Sequence, residues 1–187
     1  MESDEYLNRK KAKFEKFTEQ YIHETTEIIY NENDNINFLD NFDCFVIGSD
    51  QVWNYSFPRF SSLDFLYYTN KPKISYAASF GVNKIPDEYE NLYKKGLNSI
   101  EFISVRENDG ANIVENLINK KVKVVLDPTL MVSKNEWIQL IVDKPKYKEK
   151  YILTYFLDKP TEEDRSYIKD FSKKKSIKNK KFNIFRF

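Results

Sequence analysis

Three carboxylates and one arginine stand where apolar runs end, and those are the residue types that move protons and hold anions. Asp50 follows Phe45-Val46-Ile47 in the segment Gly48-Ser49-Asp50-Gln51-Val52-Trp53-Asn54. Arg106 and Glu107 follow Phe102-Ile103-Ser104-Val105, and Asp127 follows Val122 to Leu126. A fourth run, beginning at Ile74, ends in Ser79-Phe80-Gly81. Open parallel sheets bind ligands at the carboxyl ends of their strands, where backbone N–H groups and short polar side chains converge. Ser49, Asp50 and Gln51 can therefore bind an anion or sugar hydroxyls, or else cap the next turn. Trp53 can stack on a sugar ring or pack its own aromatic-rich loop down. Arg106 beside Glu107 offers a fixed cation for a substrate carboxylate or phosphate, and a structural ion pair explains the two equally. Proline after Asp127 removes a donor and forces a turn, which leaves Asp127 a structural or a catalytic part. Gly48 and Gly81 supply backbone geometries that other residues resist. The candidate binding set is Gly48, Ser49, Asp50, Gln51, Trp53, Asn54, Ser79, Gly81 and Arg106; the candidate proton-handling carboxylates are Asp50, Glu107 and Asp127.

These residues need a scaffold, and the pattern supplies one. Apolar runs predict strands over residues 43–47, 74–80, 102–105, 122–126 and 151–156. Between most of them lie helical segments. Pro86-Asp87-Glu88 opens one, Asp109 can cap the next, and Ser133 with Glu136 and Thr161 with Asp164 form capping boxes for two more. Strand–helix alternation with apolar strands implies an α/β fold: a Rossmann-like parallel sheet covered by helices on both faces, with all the polar blocks on one rim. Ahead of it, residues 4–28 read as an amphipathic helix lying on the core through Leu7, Phe14, Phe17 and Tyr21. Residues 31–41 form an Asn- and Asp-rich connection. The link from Gln51 to Lys73 is too long for a passive loop and carries seven aromatic residues. Small residues at Ser75, Ala77 and Ala78 allow close packing in the second strand.

Composition removes several alternatives. The chain has 187 residues, 41% of them hydrophobic, with 30 Lys plus Arg against 29 Asp plus Glu. That length and apolar share suit a packed core, and a formal charge of +1 gives no drive toward nucleic acid. The charge is uneven: residues 171–187 hold seven basic groups and no acid, so residues 1–170 carry a formal −6. This tail reads as a solvated helix face or a disordered end. A single cysteine, Cys44, is expected as a small buried hydrophobe. No apolar run reaches bilayer-crossing length, and a charged N-terminus is not a signal peptide, so a cytoplasmic setting is the default. The only histidine, His23, falls on the first helix as a surface residue. Paired metal ligands, Asp-x-Asp and a phosphate-loop motif are all absent, so no metal and no cofactor are expected.

Taken in order and spacing, Gly48-Ser-Asp-Gln-Val-Trp-Asn54, Ile74-Ser-Tyr-Ala-Ala-Ser-Phe-Gly81, Ile103-Ser-Val-Arg-Glu107 and Val125-Leu-Asp-Pro-Thr-Leu130 resemble the signature blocks of the polysaccharide pyruvyl transferase family over about residues 5–165. The resemblance implies two Rossmann-like halves similar to those of GT-B glycosyltransferases: an incomplete N-terminal domain over residues 1–142, a linker over 143–150, and the start of a second domain over 151–187. It also implies phosphoenolpyruvate as donor and a saccharide acceptor, whose two hydroxyls receive the pyruvyl group as a ketal. The family's first strand with its glycine loop and most of its second half are expected beyond the residues matched. A fragment would then act with a complementary C-terminal half, or self-associate through an open edge, and the basic tail would be a truncation or frameshift product. A saccharide-binding remnant and a nucleotide-sugar glycosyltransferase are the alternative readings.

Overall fold

A computed structural model of the chain describes residues 4–140, 149–154, 156, 159–175 and 177. In chain order the regular elements are α1 (Asp4–Tyr21), β1 (Phe45–Ile47), β2 (Lys73–Ser75), α2 (Asp87–Asn98), β3 (Ser104–Val105), α3 (Asn108–Ile118), β4 (Lys123–Val124), α4 (Lys134–Gln139) and α5 (Glu162–Lys174). They fall into two compact units, Met1–Val132 and Ser133–Phe187.

In the first unit β1 pairs in parallel with β2, and β3 with β4. Isolated parallel bridges from Ile74 to Phe102 and from Ala78 to Val105 join the two ladders, giving the spatial order 1-2-3-4. Helices α2 and α3 are the crossovers, as parallel strands require. The α/β class with parallel pairing is the one expected, but the strands are shorter. Residues 74–80 do not form one strand, because Ala77 takes a left-handed φ of 50° and turns the chain. Pairing resumes at Ala78. Two serines hold the sheet across the break: Ser75 Oγ donates to the Ser104 carbonyl at 3.0 Å, and Ser104 Oγ donates to the Ser75 carbonyl at 2.9 Å.

The long connection after β1 supplies the core instead of leaving it. Trp53 is wholly buried and stacks on Phe65 at 5.6 Å, while Phe80 stacks on Tyr93 of α2 at 5.7 Å. Each polar tip in this aromatic cluster has a partner: Trp53 Nε1 donates to the Asp64 carbonyl at 3.1 Å, and Tyr93 Oη donates to the Trp53 carbonyl at 2.6 Å. Two lysines clamp the connection. Lys71 Nζ donates to the carbonyls of Leu39, Asp40 and Phe42, and the buried Lys73 Nζ to those of Leu66 and Thr69. Burial pulls the Lys73 ammonium below its ordinary pKa. Glycine at 96 lets α2 lie against Phe65, since a Cβ there would run into that ring.

Several expectations change. Cover is one-sided: Phe102 is 72% exposed and Val46 is exposed, although Ile74 registers them as neighbours on one face. Helix α1 stops at Tyr21 and leaves Phe14 (57%), Phe17 and Tyr21 exposed, so its apolar stripe does not lie on the core. Cys44 is exposed because β1 begins one residue later and turns only Ile47 inward. Asp109 lies in the first turn of α3, whose N-cap is Glu107. His23 is exposed, as expected, but lies past the end of α1.

In the second unit both capping boxes form. Ser133 and Glu136 exchange bonds at the start of α4, and Thr161 and Asp164 do so at the start of α5. Residues 151–154 and 156 carry no strand, contrary to the apolar pattern. Residues 143–148 of the expected linker and most of the basic tail lie outside the described residues.

Two substitutions test the aromatic core by urea unfolding. Trp53→Ala is expected to cost about 3–5 kcal/mol through the cavity it leaves. Tyr93→Phe, which removes only the hydroxyl but strands the Trp53 carbonyl, is expected to cost about 1–3 kcal/mol. Equal stability of Tyr93→Phe and the parent would mean that carbonyl has found water.

Candidate active site

Beyond the last ladder pair the backbone keeps its alignment, which carries the rim residues into register. Asp50 bridges Ala78, and the Asp50 carbonyl accepts from the N–H of Ser79 at 2.8 Å and of Val52 at 2.9 Å. The Arg106 N–H donates to the Ala78 carbonyl at 3.1 Å, and the Val125 N–H to the Val105 carbonyl at 2.9 Å. Gly48 permits this approach: its φ is 121°, and a Cβ there would strike the Tyr76 carbonyl. Asp50 itself sits at φ 65°, a region that few non-glycine residues occupy and in which Asp is among the enriched.

The side chains then meet. Arg106 Nη2 donates to Asp50 Oδ1 at 3.0 Å and Nη1 to Asp127 Oδ2 at 3.1 Å, and Nε stands 3.9 Å from Glu107 Oε2. Three strand ends thus contribute three carboxylates to one guanidinium. Burial alone would lower the Arg106 pKa, but its hydrogen bonds to Asp50 and Asp127 and the charge of Glu107 outweigh it and leave the pKa raised. The group of four carries a net formal charge of −2. Glu107 is fixed from behind, its Oε1 accepting from the Phe80 N–H at 3.1 Å. Asp127 caps the short turn Pro128–Leu130, where Oδ1 accepts from Thr129 Oγ1 at 2.7 Å and from its N–H at 2.9 Å. Those two bonds, with Arg106, hold its carboxyl below the ordinary aspartate range. Exposure divides the set: the Asp127 side chain is 21% exposed and that of Asp50 is 77%.

Three other candidates hold the rim from within. Trp53, Ser79 and Asn54 are buried, and their side chains are engaged inside the protein. Asn54 Oδ1 accepts from Ser56, its Nδ2 donates to Gln51 Oε1 at 2.7 Å, and Ser79 Oγ accepts from the Gly81 N–H at 3.2 Å. Gly81, at φ 62°, gives these amides room, since a Cβ would meet Gln51 and Asn54. Ser49 is half-buried.

Beside the cluster lies a cleft of about 610 Å³, and two residues of the candidate set, Gly81 and Glu107, line it. Glu107 belongs to both, and Tyr55, Asn83, Lys84 and Asp109 complete its polar lining. A signal was available in Gly81-Val82-Asn83-Lys84, a polar turn directly after the second block, ahead of Pro86. Among the described residues no group of three or more His, Cys, Asp or Glu is arranged to hold a metal ion, and no helix is long and apolar enough to cross a membrane.

Thr129→Val should move the Asp127 carboxyl back toward the ordinary aspartate value of about 3.9, read by carboxyl-carbon NMR titration. Because the native pKa is depressed, the stabilisation it brings is present above the unfolded value and lost as pH falls through the native one. The stability gap between the parent and Asp127→Asn should therefore close on acidification, and a gap constant with pH would contradict the assigned bonds.

No curated protein and no solved structure matches this chain. The family model described as polysaccharide pyruvyl transferase matches residues 2–187, so the likeness runs on through the basic tail and past residue 165. With four signature blocks meeting on one rim and a match over nearly its whole length, the chain belongs to the polysaccharide pyruvyl transferase family.

Proposed function

We propose that this rim transfers the pyruvyl group of phosphoenolpyruvate to two hydroxyls of a sugar in a surface or exopolysaccharide, giving a ketal and inorganic phosphate. The observation that carries the reading is the convergence of Asp50, Glu107 and Asp127 on Arg106, within a member of this family. The reaction needs a proton at the methylene carbon of the donor, stabilisation of the oxocarbenium-like centre that results, and addition of the first hydroxyl. Loss of phosphate and addition of the second hydroxyl complete the ketal. Two hydroxyl protons leave the sugar: one balances the proton delivered to carbon, and the other departs with phosphate.

Asp127 suits the role of a standing negative charge, because Thr129 and Arg106 keep it ionised. Proton delivery then falls to Glu107 or Asp50, and Glu107 opens on the cleft. Arg106 acts as a positioning residue, since its guanidinium is committed to carboxylates. A GT-B-like pairing of two halves and a cytoplasmic site of action belong to the same proposal. The exposed thiol of Cys44 suits such a reducing setting.

Phosphate release from phosphoenolpyruvate, measured with a panel of saccharide acceptors, tests the reading. Glu107→Gln is expected to lower the rate by about 10²-fold or more, and Arg106→Met should also lower it. Turnover of a nucleotide sugar without turnover of phosphoenolpyruvate would replace pyruvyl transfer with glycosyl transfer.

A further inference from the structure

The cleft beside the Arg106 cluster has a chemistry of its own. Its charged lining is Glu107 and Asp109 against Lys84, and Asp50 and Asp127 stand behind Glu107 around the same guanidinium. A donor bearing both a carboxylate and a phosphate would meet like charge there. Arg106 cannot offset it, because Nη1, Nη2 and Nε already face Asp127, Asp50 and Glu107. What the lining offers instead is acceptors and an aromatic wall. The Asp109 carboxylate and the Asn83 amide have no hydrogen-bond partner among the described residues, and Tyr55 is braced by stacking on Tyr89 at 5.3 Å. Carboxylates and amides pair with vicinal hydroxyls, and an aromatic ring meets the apolar face of a pyranose. At about 610 Å³ the cleft falls within the range of small-molecule sites.

We propose that this cleft is the subsite for the neutral, polyhydroxylated acceptor, with Asp109 and Asn83 taking sugar hydroxyls and Tyr55 the ring face, and that the anionic donor is held elsewhere. The assignment rests on the reading of the rim as a pyruvyl-transfer site, and it names which substrate enters here. Glu107, at the border of cleft and cluster, then stands between the acceptor hydroxyls and the reacting carbon of the donor.

Amide chemical-shift mapping of the full chain tests it, with the methyl glycosides of glucose, galactose and mannose in one arm and phosphoenolpyruvate in the other. At least one glycoside should shift the amides of Tyr55, Asn83 and Asp109, and Asp109→Asn should weaken its affinity by roughly tenfold. Phosphoenolpyruvate should leave those three amides in place. The assignment is overturned if no glycoside shifts them, or if phosphoenolpyruvate does. Phosphate release from the same preparation separates the two levels. Glycoside mapping to the cleft without donor turnover removes the pyruvyl-transfer reading and keeps the subsite, whereas donor turnover with phosphoenolpyruvate in the cleft does the reverse.

Discussion

One guanidinium holding carboxylates from separate strand ends is the contact on which the rim depends. Asp50, Glu107 and Asp127 gathered without a cation would repel one another, and each would be driven toward its protonated form or out into solvent. Arg106 makes the gathering tolerable, and it reaches Asp50 and Asp127 only because the backbone runs on in register past the ends of β2 and β3. That register is secured by the Asp50–Ala78 and Ala78–Val105 bridges and by the absence of a Cβ at Gly48. The chemistry of the rim is thus a consequence of sheet geometry, and it would be lost by a slip of one residue in any of the strands.

Beneath the rim, rigidity comes from the aromatic cluster. Trp53, Phe65, Phe80 and Tyr93 bring the connection after β1, the end of the second block and α2 together, and their polar tips are satisfied by backbone carbonyls. Trp53 follows Asp50 by three residues, and the Phe80 N–H holds Glu107. Packing and site are therefore linked through single residues, so that a cavity in the cluster transmits to the position of two rim carboxylates.

Much of this was legible in the chain. Apolar runs ending in Gly-Ser-Asp, Arg-Glu and Asp-Pro-Thr located the rim, since period and turn chemistry are local properties. The capping boxes at Ser133 and Thr161 formed because they too are local. What was not legible is tertiary. Whether Arg106 would meet a substrate or its own neighbours depends on distances across three strands, and its partners prove to be Asp50 and Asp127. Ser79 and Asn54 looked available but are consumed in holding Gly81 and Gln51. The left-handed turn at Ala77, which shortens β2, has no signature in an alanine. The cleft arises from packing Tyr55 beside the turn at Asn83 and Lys84, two segments with no pattern in common.

Arg106 organises the rim by binding its carboxylates, and a double-variant cycle tests this most directly. Unfolding midpoints of Arg106→Met, of Asp50→Asn with Asp127→Asn, and of all three together should be strongly non-additive. Once the carboxylates are neutralised, loss of the guanidinium should cost little more, because the pairing it served has gone. Additive losses would contradict the account, since they would mean that Arg106 and the two aspartates act independently and that their proximity does not hold the rim together.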